Sequence, residues 1–72
     1  MLKKHSIIIA GHASSVSLEP EFWDELKQIS DRDGISINQI ISMIDADRGG
    51  NLSSAIRIFI INDLRRRLSL SI

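Results

Sequence analysis

Polar and apolar residues alternate near the start of the chain, where Ser15, Val16, Ser17 and Leu18 follow one another. Successive side chains of a β-strand point to opposite faces, so the alternation predicts a strand with Val16 and Leu18 on a buried face and the serines on the other. Pro20 suits the first position of a helix, which needs no backbone N–H, and the apolar spacing becomes helical there. The pattern therefore predicts a strand that leads directly into a helix.

The first helix is predicted over residues 20–33. Its apolar residues recur at helical spacing and form one stripe, at Phe22, Trp23, Leu26 and Ile29. Acidic residues crowd the first turn and Arg32 lies near the end, which is the arrangement that the helix dipole favours. Gly34 then provides the usual C-terminal stop, so several independent signals agree on this helix.

A second helix is predicted over residues 36–48. Ser36 and Gln39 have the spacing of a capping box, in which each side chain accepts a hydrogen bond from the other residue's backbone amide. The apolar face of this helix consists of Ile37, Ile40, Ile41 and Ile44. The pair Gly49-Gly50 ends the pattern, which separates this helix from the next.

A third helix is predicted over residues 52–68, with Asn51 as its cap. Its apolar residues cover most of the helix circumference, at Leu52, Ala55, Ile56, Ile58, Phe59, Ile60, Ile61 and Leu64. A helix that is apolar on most sides needs more than one packing partner. A second copy of the chain is the simplest source of that partner.

The residues before the alternating strand are less regular. Residues 1–5 include Lys3, Lys4 and His5 and are predicted to form a flexible basic arm. The β-branched run Ile7–Ile9 favours extended structure, and residues 11–13 are predicted to form a bend or bulge within a strand region that spans residues 7–18. Whether Ile7–Ile9 pairs in the same ribbon, adds an outer strand or is only ordered by packing is left open by the sequence.

Length and composition limit what the chain can be. With 72 residues it forms at most one domain, residues 1–72, and such small cores supply only roughly 3–5 kcal/mol of net stability. The chain has no cysteine, so disulfides are excluded and oligomerisation is the expected source of further stability. The apolar run near the N-terminus is too short for an export signal or a membrane span, which leaves the cytoplasm as the expected location.

The sequence offers few residues that could support catalysis or bind a metal or cofactor. Asp45, Asp47 and Asp63 offer carboxylates, but no histidine, cysteine or glycine-rich loop accompanies them, so we expect no enzymatic activity and no cofactor. His5 and His12 lack metal-ligand spacing, so no metal site is expected. The charges of nine basic and nine acidic residues cancel, and the chain therefore has no overall positive field that would indicate a nucleic-acid partner.

Several motifs nevertheless occur in an order that resembles one family. These motifs are Gly11-His12, Ser15 to Asp24, Gly34-Ile35-Ser36, Ile44-Asp45 and Asn51 to Arg57. The chain resembles the ribbon-helix-helix superfamily of DNA-binding repressors, which includes Arc and MetJ. It is most similar to short bacterial ribbon-helix-helix domain proteins with an extra C-terminal helix, and the similarity covers roughly residues 7–66.

The resemblance implies a mainly α fold, with an N-terminal strand that pairs antiparallel with its counterpart in a second subunit, followed by three helices. The product is an intertwined homodimer in which fold and dimer are inseparable. Residues expected in the dimer core are Val16, Leu18, Trp23, Ile41 and Phe59. A two-stranded ribbon of this kind fits the major groove of DNA, where base edges are distinguishable.

The resemblance also implies which residues contact DNA. The positions expected to face the bases are Ala13, Ser15 and Ser17. The positions expected to contact phosphates are Lys3, Lys4, His12, Ser36, Ile37 and Asn38. Relatives carry arginine or another long polar side chain where this chain has Ala13, and a bidentate arginine–guanine pair gives about 1–3 kcal/mol of discrimination. We therefore expect binding that depends strongly on salt and weakly on sequence.

The function implied is that of a repressor-like transcriptional regulator. The alternative is a protein–protein adaptor on the same fold, which the neutral charge and Ala13 favour and which would not bind DNA. For Arg65–Arg67 a solvated helix end and a second phosphate patch both remain open.

Overall fold

The computed structural model describes residues 1–47 and 49–71. In chain order the elements are β1 (Lys3–Ile9), β2 (His12–Leu18), α1 (Pro20–Asp33), α2 (Ile37–Asp47) and α3 (Leu52–Ser71). The predicted ribbon followed by three helices is confirmed. Residue 48, the predicted end of the second helix, lies outside the described residues, and Ser36 caps α2 instead of beginning it. Among the described residues, no helix is long and apolar enough to cross a membrane.

The two strands form an antiparallel hairpin within one chain. Ile9 lies opposite His12 at the turn, and Lys3 lies opposite Leu18 at the open end. The turn consists of Ala10 and Gly11, which both have positive φ angles, of 52° and 80°. Two successive left-handed residues are typical of the type I′ turn, whose twist matches that of the flanking strands. The bend predicted over residues 11–13 is therefore only partly right: Gly11 lies in the turn, but His12 and Ala13 already belong to β2.

The N-terminal basic segment is part of this hairpin. Lys3, Lys4 and His5 were expected in an arm over residues 1–5, but they form the first half of β1 and lie opposite residues of β2. The ladder hydrogen bonds of the hairpin hold this segment in place. The Ile7–Ile9 run pairs with β2, which answers the question that the sequence left open. Pairing between two subunits remains a prediction from the resemblance.

The apolar core of the described residues lies between the inner face of the hairpin and the three helices. Its buried members are Ile7, Val16, Leu18, Leu26, Ile29, Ile40, Ile41, Ile44, Ile56 and Ile60. Each such side chain contributes roughly 1.5–3 kcal/mol when it leaves water. Three residues predicted for a dimer core, Val16, Leu18 and Ile41, are already buried within one chain, whereas Trp23 and Phe59 remain partly exposed.

A buried carboxylate fastens α3 to the end of α1. Asp63 accepts hydrogen bonds from both terminal nitrogens of Arg32, at 3.1 and 3.0 Å, and from Arg66 at 2.8 Å. The bonds from Arg32 hold the pKa of Asp63 below its ordinary value. Arg67 also pairs with Glu25, at 2.7 Å. Arg66 and Arg67 are thus both ion-paired within the chain. These ion pairs are what we expect of a helix end that is attached to its own fold.

Candidate nucleic-acid interface

The face of the hairpin that points away from the helices carries the residues predicted to face bases. Ala13, Ser15 and Ser17 alternate along β2 with the buried Val16 and Leu18, so they share the outer face. Ala13 and Ser15 are exposed, and Ser17 is partly buried. The structure thus brings the three side chains together in one row, which extends along the hairpin.

A second row lies beside the first, on β1. Residues directly opposite one another in an antiparallel pair share a face, and Lys4 lies opposite Ser17, Ser6 opposite Ser15, and Ile8 opposite Ala13. The outer face, as we call these six residues, carries three serines, Ala13, the exposed Ile8 and the single charge of Lys4. Sequence reasoning missed Ser6 and Ile8, because it did not pair β1 with β2. The β-branched run Ile7–Ile9 was the available signal for a strand, but it does not show which strand it pairs with.

The hairpin separates the residues that were predicted to contact phosphates. Lys4 lies on the outer face, but Lys3 lies opposite Leu18 on the inner face. His12 lies opposite Ile9, also on the inner face, although its side chain is exposed near the turn. Only Lys4 of these three shares a face with Ser15 and Ser17.

The N-terminus of α2 retains two free backbone amides. The amide of Gln39 donates to Ser36 Oγ at 3.0 Å, and the amide of Ser36 donates to Gln39 Oε1 at 2.8 Å, which completes the predicted capping box. Ile40 N–H bonds to the Ser36 carbonyl. Within the described residues, the amides of Ile37 and Asn38 have no partner, and such amides at a helix N-terminus bind anions.

The side chain of Asn38 joins α2 to the hairpin. Its Oδ1 accepts a hydrogen bond from the backbone amide of Ile8, at 3.2 Å. The bond fixes the position of the free amides of α2 relative to β1, which carries half of the outer face. Asn38 was predicted as a phosphate contact, and its structural role as a link was not predicted, since it depends on a strand distant in the sequence.

His5 lies on the inner face, where its ring stacks on Trp23 with centroids 3.6 Å apart and planes inclined by 4°. Its Nε2 atom is buried and has no hydrogen-bond partner among the described residues. Burial lowers the pKa of His5, and the nearby charges of Lys3 and Lys27 lower it further. The stack holds the first half of β1 against α1, and His5 is neutral there at neutral pH.

An apolar groove of about 400 Å³ lies between α2 and α3, on a different part of the surface. The residues that line it are Met43, Ile44, Asp47, Ala55, Ile58, Phe59 and Asn62. Met43 and Ile58 are both 61% exposed, which is unusual for large apolar side chains that lie so close together. No group of three or more potential metal ligands occurs within residues 1–47 and 49–71.

Comparisons with known proteins agree with this architecture. A family model described as ribbon-helix-helix domain matches residues 2–64. A solved structure, that of an uncharacterized protein from Bordetella pertussis Tohama I, superimposes with a TM-score of 0.84 at 28% sequence identity. The match covers 100% of this chain and 62% of that chain, so this chain spans less than two thirds of that protein. A comparison with curated proteins finds no match.

Proposed function

The chain belongs to the ribbon-helix-helix domain family, and we propose that it is a DNA-binding transcriptional regulator that acts as a homodimer in the cytoplasm. Proteins of this family are typically regulators without enzymatic activity. The observation that carries the proposal is the outer face of the hairpin, which no helix of the described residues covers, beside the free amides of Ile37 and Asn38. Strand side chains can read base edges while helix amides hold a phosphate.

The side chains of the outer face determine what kind of binding we expect. Ser15 and Ser17 offer hydroxyl groups, which can donate to or accept from any base and therefore select weakly. Ala13 offers only a methyl group, which suits the methyl of thymine. Most of the affinity then comes from phosphate contacts, and binding weakens steeply as salt rises.

Titration of labelled duplex DNA, random and genomic, at low and moderate salt tests the proposal. The double variant Ser15→Ala, Ser17→Ala removes both hydroxyls of β2 from the outer face and is expected to lose sequence preference while retaining most phosphate-driven affinity. Ser14→Ala is the matched control, because Ser14 is exposed but lies on the inner face. Equal behaviour of the control and the double variant would contradict reading by this face.

The groove between α2 and α3 favours a second candidate function, that of a protein–protein adaptor. Its exposed Met43 and Ile58 suit an apolar helix of another protein. The same titration separates the two functions: absence of binding to any duplex at the lowest salt would exclude the regulator and leave the adaptor.

A further inference from the structure

Three residues near the start of α3 lie on one side of that helix. Ser53, Ile56 and Arg57 are three and four positions apart, a spacing that brings side chains together on one helix face. Ile56 is fully buried in the core, so this face is turned toward the rest of the chain. Asn51 fixes where the helix begins, because its Oδ1 accepts a hydrogen bond from the Ser54 amide at 3.1 Å. The polar groups of Ser53 and Arg57 are therefore held at defined places beside the core.

Both polar residues contact the segment that joins β2 to α1. Ser53 Oγ donates a hydrogen bond to the backbone carbonyl of Ser17, at 3.0 Å. Arg57 contacts Glu19 Oε1 with two of its nitrogens, Nε and Nη2, each at 2.9 Å. The two contacts join residues that are 36 and 38 positions apart in the sequence. We call this pair of contacts the junction clamp.

The ion pair of the junction clamp is partly shielded from water. The side chains of Arg57 and Glu19 are 28% and 37% exposed, and the guanidinium group lies 5.8 Å from the centre of the Phe22 ring. A hydrogen bond from its own backbone lowers the pKa of Glu19, and the hydrogen bond from Arg57 lowers it further. The carboxylate is therefore ionised and paired at neutral pH.

The junction clamp acts on the short segment where β2 ends and α1 begins. The carbonyl of Glu19 accepts hydrogen bonds from the amides of Phe22 and Trp23, at 3.0 and 3.1 Å, which ties it to the first turn of α1. Pro20 has a fixed φ and leaves this segment little freedom. Because the direction of a strand side chain follows from its backbone, holding the Ser17 carbonyl also orients the Ser17 hydroxyl on the outer face.

We infer that Ser53 and Arg57 are positioning residues, which hold the Ser17 hydroxyl in the orientation from which it contacts a base. The inference rests on the proposed function, because it requires that the outer face contacts DNA. A hydroxyl on a mobile backbone can bond to several base edges, whereas a hydroxyl on a fixed backbone favours the edge that it already faces. The third helix thus contributes to base selection without contacting DNA itself.

Duplexes in which each base pair of a bound site is replaced in turn test the role of Ser53. Ser17→Ala first identifies the base pairs that Ser17 distinguishes, because discrimination at those pairs disappears in this variant. Ser53→Ala is expected to reduce discrimination at the same base pairs by roughly two- to tenfold, the effect of one hydrogen bond. The slope of log affinity against log salt concentration should not change, since no phosphate contact is lost. Ser53→Thr keeps the hydroxyl and should restore the discrimination.

Ser54→Ala is the matched control for Ser53→Ala. Ser54 is the next residue of α3 and is exposed, so its substitution removes the same hydroxyl with the same gain in helix propensity. Uniform weakening at all base pairs in Ser53→Ala, or an equal loss in Ser54→Ala, would overturn the inference. So would a Ser17→Ala variant that retains all base preferences. Failure of the unsubstituted protein to bind any duplex would instead overturn the proposed function, and the reading role of Ser17 with it.

The NMR order parameter of the Leu18 amide tests the junction clamp without DNA. This amide belongs to the same peptide plane as the Ser17 carbonyl, so it reports the motion of the group that Ser53 holds. We expect a value of about 0.85 in the unsubstituted protein and in Ser54→Ala, and a value closer to the roughly 0.6 of flexible backbone in Ser53→Ala and Arg57→Met. An unchanged value in Ser53→Ala would overturn the role of Ser53, and an unchanged value in Arg57→Met that of Arg57.

Discussion

Ala10 holds a backbone conformation that few residues adopt. Its φ of 52° lies in the left-handed region, which costs a residue with an ordinary side chain roughly 1–2 kcal/mol. Asparagine tolerates this region and is the preferred partner of glycine in a type I′ turn. We predict that Ala10→Asn raises the free energy of unfolding by about 0.5–1 kcal/mol, as measured by urea denaturation.

Gly11→Ala supplies the opposite test at the next position. A Cβ at Gly11 would meet no atom within 4 Å, so only its φ of 80° would penalise the substitution. We expect a loss of roughly 1 kcal/mol. A stabilising Gly11→Ala, or a destabilising Ala10→Asn, would contradict the assigned turn.

His5 makes stability depend on pH. Because the pKa of His5 is lowered in the folded chain, the unfolded chain binds the proton first as pH falls below about 6.5. Stability is therefore complete above that pH and declines until the lower pKa of the folded chain is reached. We predict that the pH dependence of unfolding below about pH 6.5 is weakened by His5→Gln.

Fluorescence gives a direct readout of the same titration. Trp23 is the single tryptophan of the chain and stacks on His5, so protonation of His5 should quench its emission. His12→Gln is the matched control, because His12 lies near the turn, away from the stack. A pH-dependent emission that disappears in His12→Gln and persists in His5→Gln would refute the assignment.

At the level of secondary-structure elements, Asn38 is the link between α2 and the hairpin. Asn38→Ala removes the acceptor of the Ile8 amide and is predicted to lower stability by about 1 kcal/mol. We expect the Ile8 amide to exchange faster in this variant, and DNA affinity to fall because the free amides of α2 lose their fixed position.

Gln39→Ala controls for damage to the helix terminus alone. It removes half of the capping box, at 2.8 Å from Ser36, but leaves the Asn38 side chain in place. The Ile8 amide should keep its protection in Gln39→Ala. Equal acceleration of Ile8 exchange in both variants would mean that Asn38 acts only as part of the helix cap.

At the level of the whole molecule, the exposed apolar groove predicts where association between copies can be disrupted. Ile58 is 61% exposed in one chain, so Ile58→Glu should leave the core intact and retain the helical circular dichroism signal. A glutamate buried in a dimer contact is strongly unfavourable, and we predict dissociation to a folded monomer in sedimentation experiments. Gln28→Glu adds the same charge to an exposed position on α1 and should remain dimeric.

That prediction differs from the expectation that fold and dimer are inseparable. Val16, Leu18 and Ile41, which the resemblance assigns to the dimer core, are already buried within one chain. The hairpin also gives each β2 a neighbouring strand within its own chain. An unfolded Ile58→Glu monomer would restore the original expectation.

The sequence predicted the helices well because their signals are local. Pro20, Gly34 and the Ser36 box mark ends that the structure confirms. The sequence did not predict the partner of β1, because a β-branched run indicates a strand but not the strand with which it pairs. The turn was also missed, because Ala10 is an unusual residue for a type I′ turn. The outer face was therefore predicted only in part, as Ala13, Ser15, Ser17 and Lys4 without Ser6 and Ile8. The Asn38–Ile8 and Arg32–Asp63 contacts join distant segments and depend on tertiary packing.

The short turn at Ala10 and Gly11 has a consequence for the kinetics of assembly. Closing so small a loop costs little chain entropy, and β-hairpins form within about 1–10 μs. Each chain can therefore form its own β1–β2 pairing before it meets another. Folding of this chain should consequently be a first-order process whose rate does not change with protein concentration, followed by a separate second-order step in which two finished molecules dock.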